Sequence, residues 1–413
     1  MSEASNSPSA ASLDHVYLDH NATTPLDPRV GEAMLPWLLG SLDPSLGHGE
    51  RAGGGRWGRW GNPSSAHAFG RDASAAVEAA REQVAALLEA KPEEVIFTAS
   101  GTEANNAVIN TVAREAGGCG HVVLSAFEHP SVDAAVARWE ELGMSATRVA
   151  PGPDGVVSAA AMAEAMREET VLLCLMLAQN EIGTLQPVAE VAAAARRRGV
   201  PLLCDAVQAP GKVPLGVEAL GVDYLTLGAH KLYGPLGAAA LWVRPGLTAE
   251  SLAAGAGQEG GRRAGTENVA AIVGFGAAAR WAQQELEFRH EHSRELRDAF
   301  EAAVAAEPSL QPHEIWGRGA PRLPNTSSIA FPGVVAAQLA RRLDGAGFAV
   351  STGAACHDGG APSGALGALG ASSAMASATL RVSFGAVNEH EQVEAFVAAL
   401  AHEVSALRHG VLV

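Results

Sequence analysis

PLLCDAVQAPGKVPLGVEALGVDYLTLGAHKLYGPLGAAALWV, residues 201–243, holds three short runs, PLLCDA, DYLTL and GAAALWV. Each is apolar almost throughout, as strands covered on both faces are. Just before them PVAEVAAAARRRG (187–199) reads as a helix, with Pro187 suited to its first turn and basic residues at its end. Further out, EVIFTAS (94–100), HVVLSA (121–126) and VLLCLML (171–177) are more buried-strand candidates, and GTEANN (101–106) opens a helix. Between residues 71 and 90, Ala73, Ala76, Val77, Ala80, Val84, Leu87 and Leu88 share one helical face. Strand–helix–strand repetition of this kind predicts an α/β domain around a mostly parallel sheet, with functional sites at the carboxyl ends of the strands.

The texture changes after about residue 270, where long helices (roughly 270–306 and 389–408) replace the alternation. We therefore expect a large domain over 16–270 and a smaller α+β domain over 271–413, which the first residues of the chain could join. Residues 1–15 read as a disordered tail, and DPSLGHGERAGGGRWGRW (43–60) as an inserted loop. Residues 357–379 are nearly all Gly, Ala and Ser, a composition that predicts a mobile segment.

With 413 residues, 47% hydrophobic and 18% charged, the chain is long enough for more than one core. Its net charge of −16 argues against nucleic acid or an anionic membrane surface as partner. The first residues, MSEASNSPSAASLDH, lack the basic-then-apolar order of a signal peptide, and no long apolar run suggests a membrane span. The four cysteines show neither metal-ligand spacing nor disulfide density, so no metal is expected and the cytoplasm is the expected compartment.

Lys231, in AHKLYGP between two strand candidates, could be a partly desolvated amine able to form a Schiff base. Alone it would pass for a surface lysine in a turn. Asp205 ends PLLCD one βα unit earlier and could pair with a protonated pyridine nitrogen, with Gln208 near the ring's phenolic oxygen. Its blander role is a helix cap. Gly101 and Thr102 follow a strand and open a helix, a seat for phosphate or simply a capped start. His129, in FEHPS, could stack on a flat ring or move a proton, although a lone histidine is more often structural. Cys174 and Cys204 lie in apolar strands and Cys119 in a Gly-rich loop. Cys356, in STGAACHDGG, sits in polar surroundings that suit a nucleophile. Arg381, in LRVSFG, is a candidate fork for a carboxylate or an ordinary strand arginine.

Taken together, LDHNATTPLDPRV (18–30), GNPSSAHAFGR (61–71), SGTEANN (100–106), FEHPS (127–131), NEIGTLQPV (180–188), DAVQAPGK (205–212), AHKLYGP (229–235), GQEGGRRAGTEN (257–268), STGAAC and LRVSFG resemble the cysteine desulfurases. These belong to the class V aminotransferase group of fold-type I pyridoxal-phosphate enzymes. The resemblance implies a homodimer in which Lys231 carries pyridoxal 5'-phosphate and later moves the substrate's protons. It further implies that His129 stacks on the ring, Asp205 and Gln208 bind its nitrogen and oxygen, and Gly101, Thr102 and His230 hold the phosphate. Thr266 would reach the phosphate in the partner subunit. Asn21, Asn180 and Arg381 would bind the amino-acid substrate, L-cysteine, and Cys356 would take its sulfur as a persulfide, releasing alanine. The 25 residues from Cys356 to Arg381 resemble the long loop that delivers sulfur to an acceptor such as an iron–sulfur scaffold.

Three departures stand out: Gly228 where many relatives have serine, Gly260 where they have arginine, and the 43–60 insertion. The run GAACH also resembles selenocysteine lyases, so that activity stays open, as does another pyridoxal-phosphate C–S lyase or transaminase. A non-catalytic relative would predict damage at Lys231 or Asp205, and both are intact. A nicotinamide dehydrogenase lacks its G-x-G-x-x-G after a strand, and a papain-like protease would leave Lys231 and Asp205 unexplained.

Overall fold

In the computed structural model, residues 15–39, 59–353 and 364–410 are described. The expected tail, except its last residue, lies outside them, as does nearly all of the 43–60 insertion and Cys356 itself. Of the insertion, Arg59 and Trp60 are described. Trp60 stacks on Phe69 with ring centroids 5.0 Å apart.

Strands β1 (Val16–Tyr17), β2 (Val95–Thr98), β3 (His121–Ser125), β4 (Ser145–Val149), β5 (Thr170–Cys174), β6 (Leu202–Asp205), β7 (Tyr224–Gly228) and β8 (Ala239–Val243) account for the first half of the chain. Seven of them form one sheet in the order β2-β8-β7-β6-β5-β3-β4. Only β8 runs antiparallel to its neighbours. Every residue of β2, β3, β6, β7 and β8 is buried, which is why they read as continuous apolar runs. Edge strand β4 (SATRV) is mostly solvent-facing and carries no such signal.

Around this sheet lie α1 (Pro28–Leu38), α2 (Ala68–Leu87), α3 (Gly101–Glu115), α4 (Pro130–Glu140), α5 (Ala159–Ala165), α6 (Val188–Arg197), α7 (Val217–Leu220) and α8 (Val269–Gln284). Pro187 serves as the N-cap of α6. Helix α8 crosses α2 so closely that a Cβ at Gly276 would lie 2.6 Å from the Cα of Ala80. Its Ile272, Phe275 and Ala279 belong to the apolar core of the large sheet.

That packing moves the boundary expected at 270. Helix α8 belongs with the large domain, and the chain passes to the second core only at α9 (Leu286–Ala306). The second domain contains β9 (Glu314–Ile315), β10 (Thr326–Ala330), α10 (Ala336–Gly345), β11 (Phe348–Ala349), α11 (Gly364–Ala368), α12 (Ser373–Ser377), β12 (Thr379–Ser383) and α13 (His390–Arg408). Phe300, Phe348, Phe384 and Phe396 meet in its core, with Val16 and Leu18 from the start of the chain. Strand β1 pairs in parallel with β11. Part of the segment expected to be mobile, 357–379, is described. Residues 364–368 and 373–377 are helical, and Leu366 and Ala376 insert into the large-domain core. Small side chains left no apolar period by which to read them.

Candidate active site

The carboxyl ends of β2, β3, β5, β6 and β7 converge on a cavity of about 410 Å³. It is closed on its far side by Asn21, Gly353 and Arg381. From β2 the chain turns into α3, whose N-cap Ser100 accepts a hydrogen bond from the Glu103 amide. A Cβ at Gly101 would come within 2.9 Å of Val207 Cγ2, so the helix must open with a residue that lacks one. Thr102 lines the cavity beside it, leaving exposed first-turn amides and the positive helix end for an anion.

From β3 comes His129, the N-cap of α4, whose Nδ1 faces the Ser131 amide at 3.1 Å and the Ser131 hydroxyl at 2.8 Å. Burial lowers its pKa, the Asp205 carboxylate opposes that, and the Lys231 ammonium adds to it. Asp205 ends β6. Its Oδ1 accepts from the Val207 amide (3.0 Å) and its Oδ2 from Asn105 Nδ2 (2.9 Å). Among the described residues it has no ion-pair partner.

Lys231 closes a short 3₁₀ turn after β7. Its Nζ donates to the carbonyls of Asn21 and Ala22, each at 2.5 Å, and to no carboxylate. Burial, reinforced by Arg381 and opposed by Asp19 and Asp205, lowers its pKa to about 8. His230 Nδ1 lies 3.1 Å from the Thr23 hydroxyl, and burial with Lys231 and Lys212 lowers its pKa to about 4. It is a neutral imidazole at neutral pH. Gln208 donates from Nε2 to the Asn21 carbonyl at 2.9 Å.

On the small-domain side Arg381 gives one Nη to Asp19 (2.6 Å) and the other to the Asn180 carbonyl (3.1 Å), while its buried Nε has no partner. Asn21, expected at the substrate, lines the cavity. Its side chain is bonded to the Asn180 carbonyl, Thr326 and Asn325, and its own carbonyl faces Lys231. Thr266 is exposed and does not line the cavity. Cys356 lies outside the described residues, three positions beyond Gly353. At Gly228 a Cβ would stand 3.6 Å from the His230 ring, an ordinary contact, so glycine is not sterically required there. At Gly260 the backbone has φ of 65°, which glycine adopts without strain.

Several contributors were not picked out from the sequence. Asn105 orients Asp205 from inside α3, where a buried polar side chain four residues after the glycine was the available signal. Asp19 holds Arg381. Glu128 is half-buried, accepts from the Met176 amide at 2.8 Å, and is pushed up to about 8 by burial of its carboxyl. Lys212 is buried with its amine on the Gln208 carbonyl (3.1 Å) and Oε1 (3.3 Å), and burial lowers it to about 7.

The loop carrying Thr266 is pinned from behind. Glu259 accepts from both terminal nitrogens of Arg81 (2.6 and 2.9 Å) and from the Phe97 amide (2.9 Å), all buried. Removing Glu259 leaves buried Arg81 with only the exposed Glu78 as ion partner and strips the Phe97 amide of this acceptor, so Glu259→Ala is expected to destabilise the fold by about 3 kcal/mol. A lower thermal midpoint would register it, and an unchanged midpoint would refute it.

The two depressed amines also set a pH signature. Between pH 8 and 9 the unfolded chain keeps protons on Lys212 and Lys231 that the folded, cofactor-free chain has released, so stability rises with pH. Buried Glu128, still shedding its proton, and the thiols of Cys174 and Cys204, raised by burial, subtract part of that gain. We expect about 1 kcal/mol more stability at pH 9 than at pH 8. Urea midpoints at the two values test this, and a fall with pH would contradict it.

A buried carboxylate without a cation and a desolvated lysine without a carboxylate, facing one cavity with a helix N-terminus at its edge, fit pyridoxal phosphate. Asp205 suits its ring nitrogen, Lys231 its aldehyde and the start of α3 its phosphate. The class-V aminotransferase family model matches residues 57–396. The chain belongs to that family of pyridoxal-phosphate enzymes. Within it the chain falls among the cysteine desulfurases. It is 37% identical over 395 residues to cysteine desulfurase IscS of Dictyoglomus turgidum, covering 95% of each chain. To a cysteine desulfurase of Enterobacter agglomerans it is 36% identical over 399 residues, 96% of this chain and 94% of the other. Among solved structures, a NifS-like protein superposes with a TM-score of 0.84 at 32% identity, covering 95% and 99% of the two chains. A structure described as SspA in complex with cysteine gives 0.75 at 29%, covering 90% and 99%.

Proposed function

We propose that this chain moves the sulfur of L-cysteine onto Cys356, leaving a persulfide and releasing L-alanine, with pyridoxal phosphate held at Lys231. The observation that carries this reading is the pairing of uncompensated Asp205 and Lys231 across one cavity. Bound there, the cofactor supplies an electron sink for the substrate's α-carbon. Asp205, fixed by Asn105 and the Val207 amide, would meet the ring nitrogen. His129 would cover the ring and Gln208 would border its oxygen. The first turn of α3 with Thr102 and neutral His230 would receive the phosphate.

Lys231, whose pKa of about 8 leaves part of the population neutral at physiological pH, takes and returns the substrate's protons at Nζ. Arg381, with an unpartnered Nε, binds the substrate carboxylate beside Asn180. Gly353 lines the cavity, and three peptide units span at most about 11 Å, which keeps Cys356 within reach of it.

The reaction is balanced: the substrate's C–S bond breaks, an S–S bond forms at Cys356, and the thiol proton ends on the departing alanine. Exposed Thr266 suits a contact with a partner subunit's phosphate, so the working unit is a homodimer. A second protein then collects the sulfur. No helix among the described residues is long and apolar enough to cross a membrane, and we assign the chain to the cytoplasm. The selenocysteine lyase reading is not favoured, since the relatives reported above are cysteine desulfurases.

Purified protein given L-cysteine and L-selenocysteine separately tests the proposal. Alanine from cysteine supports it, and alanine from selenocysteine alone would overturn it.

A further inference from the structure

A second small cavity lies behind the first. It offers about 10 Å³ to the centre of a water, roughly one molecule's worth. Lys212 and Lys231 both line it, together with His20, Arg289, Ser293 and Asn325. Both ring nitrogens of His20 are buried, near the Tyr17 backbone and the Asn388 side chain, and one Nη of Arg289 is buried without a partner. Unsatisfied polar groups around a water-sized space mark a site for an internal water.

Neither lysine has an ion-pair partner among the described residues, and a single chain of hydrogen bonds connects them. Lys212 Nζ donates to the carbonyl and Oε1 of Gln208, Gln208 Nε2 donates to the Asn21 carbonyl, and Lys231 Nζ rests on that same carbonyl.

We propose that Lys212 is a positioning residue for Lys231, fixing the Gln208–Asn21 link on which Lys231 rests and facing it across a bound water with a like charge, so that a proton on either nitrogen disfavours a proton on the other. This rests on Lys231 being the cofactor lysine. The surroundings agree with it. Burial and then the neighbouring Lys231 and Arg381 lower Lys212 to about 7. His20 is lowered to about 4, by burial first and Lys212 next, and so stays neutral. His230 is neutral as well, Arg289 is paired with Glu285, and His290 Nδ1 meets the Lys212 carbonyl at 2.7 Å. Lys212 is therefore the amine that faces Lys231 across the small cavity and is joined to it through Gln208 and Asn21.

The test uses the cofactor-loaded enzyme and the pH midpoint of its visible absorbance. Lys212→Met removes the like charge, so the midpoint is expected to rise by about one unit, with kcat falling about tenfold and KM little changed. Lys212→Arg keeps a charge and should return the midpoint toward wild type. Equal loss of kcat in both variants with an unmoved midpoint would overturn the proposal and leave Lys212 a packing residue. If Lys212→Met fails to fold, Lys212→Gln gives the same reading. A visible band in wild type that is unmoved in the variants sinks this inference alone, whereas no lysine-bound band in wild type would remove the cofactor assignment beneath it.

Discussion

Replacing Lys231 with alanine is expected to remove the visible absorbance of lysine-bound cofactor and to lower turnover of L-cysteine by about a thousandfold or more. The same Nζ is asked to hold the cofactor and to carry the substrate's protons. No other amine among the described residues lines the main cavity. Lys212 lies behind it, screened by Gln208, and cannot substitute without breaking both bonds that hold it. Asp205, Asn105 and the start of α3 are untouched by the change, so the variant should still bind pyridoxal phosphate non-covalently. Absorbance spectra and dialysis separate the two modes of binding. An unchanged visible band in Lys231→Ala would contradict the assignment.

Cys356→Ala should have an effect of similar size on sulfur transfer and almost none on the cofactor. Every group assigned to the cofactor within its own subunit precedes or is Lys231 in sequence, and Thr266, assigned to the partner's phosphate, follows it, while Cys356 comes 125 residues after Lys231 in the second domain's span. The variant should be folded and yellow yet form no persulfide. Absorbance and persulfide labelling on one sample check both halves. Loss of the visible band would show that the roles are not separable as drawn.

The residues most legible in the sequence were those at strand ends. Strands buried on both faces announce themselves as apolar runs, and a polar residue that terminates such a run stands out, as Asp205 does after PLLC. His129 and Lys231 follow their strands within a few residues and were found in the same way. What supports them was harder to read. Asn105 sits among polar neighbours in GTEANN, and only the rotation of α3 turns it inward to Asp205.

Lys212 follows a glycine and was not singled out, because its burial depends on long-range packing that includes His290 of α9. Helix α8 looked like the start of the second domain because the helical pattern runs on past it. Its glycines and alanines instead fit against α2. Strand β4 is an edge strand with a wet face, and α11 and α12 are built from side chains too small to show a period. The roles given to Thr266 and Asn180 came from family resemblance, since an exposed threonine and a loop asparagine carry no local signal of their own.

The most direct test of the central claim is mass spectrometry of the Cys356 peptide after the loaded enzyme has met L-cysteine under non-reducing conditions. One added sulfur atom on Cys356, with alanine released in proportion, is the result expected from a Lys231-based site that hands sulfur to this residue. Alanine formed with sulfide set free and Cys356 unmodified would contradict it, and would leave a C–S lyase in place of a sulfur-transfer enzyme.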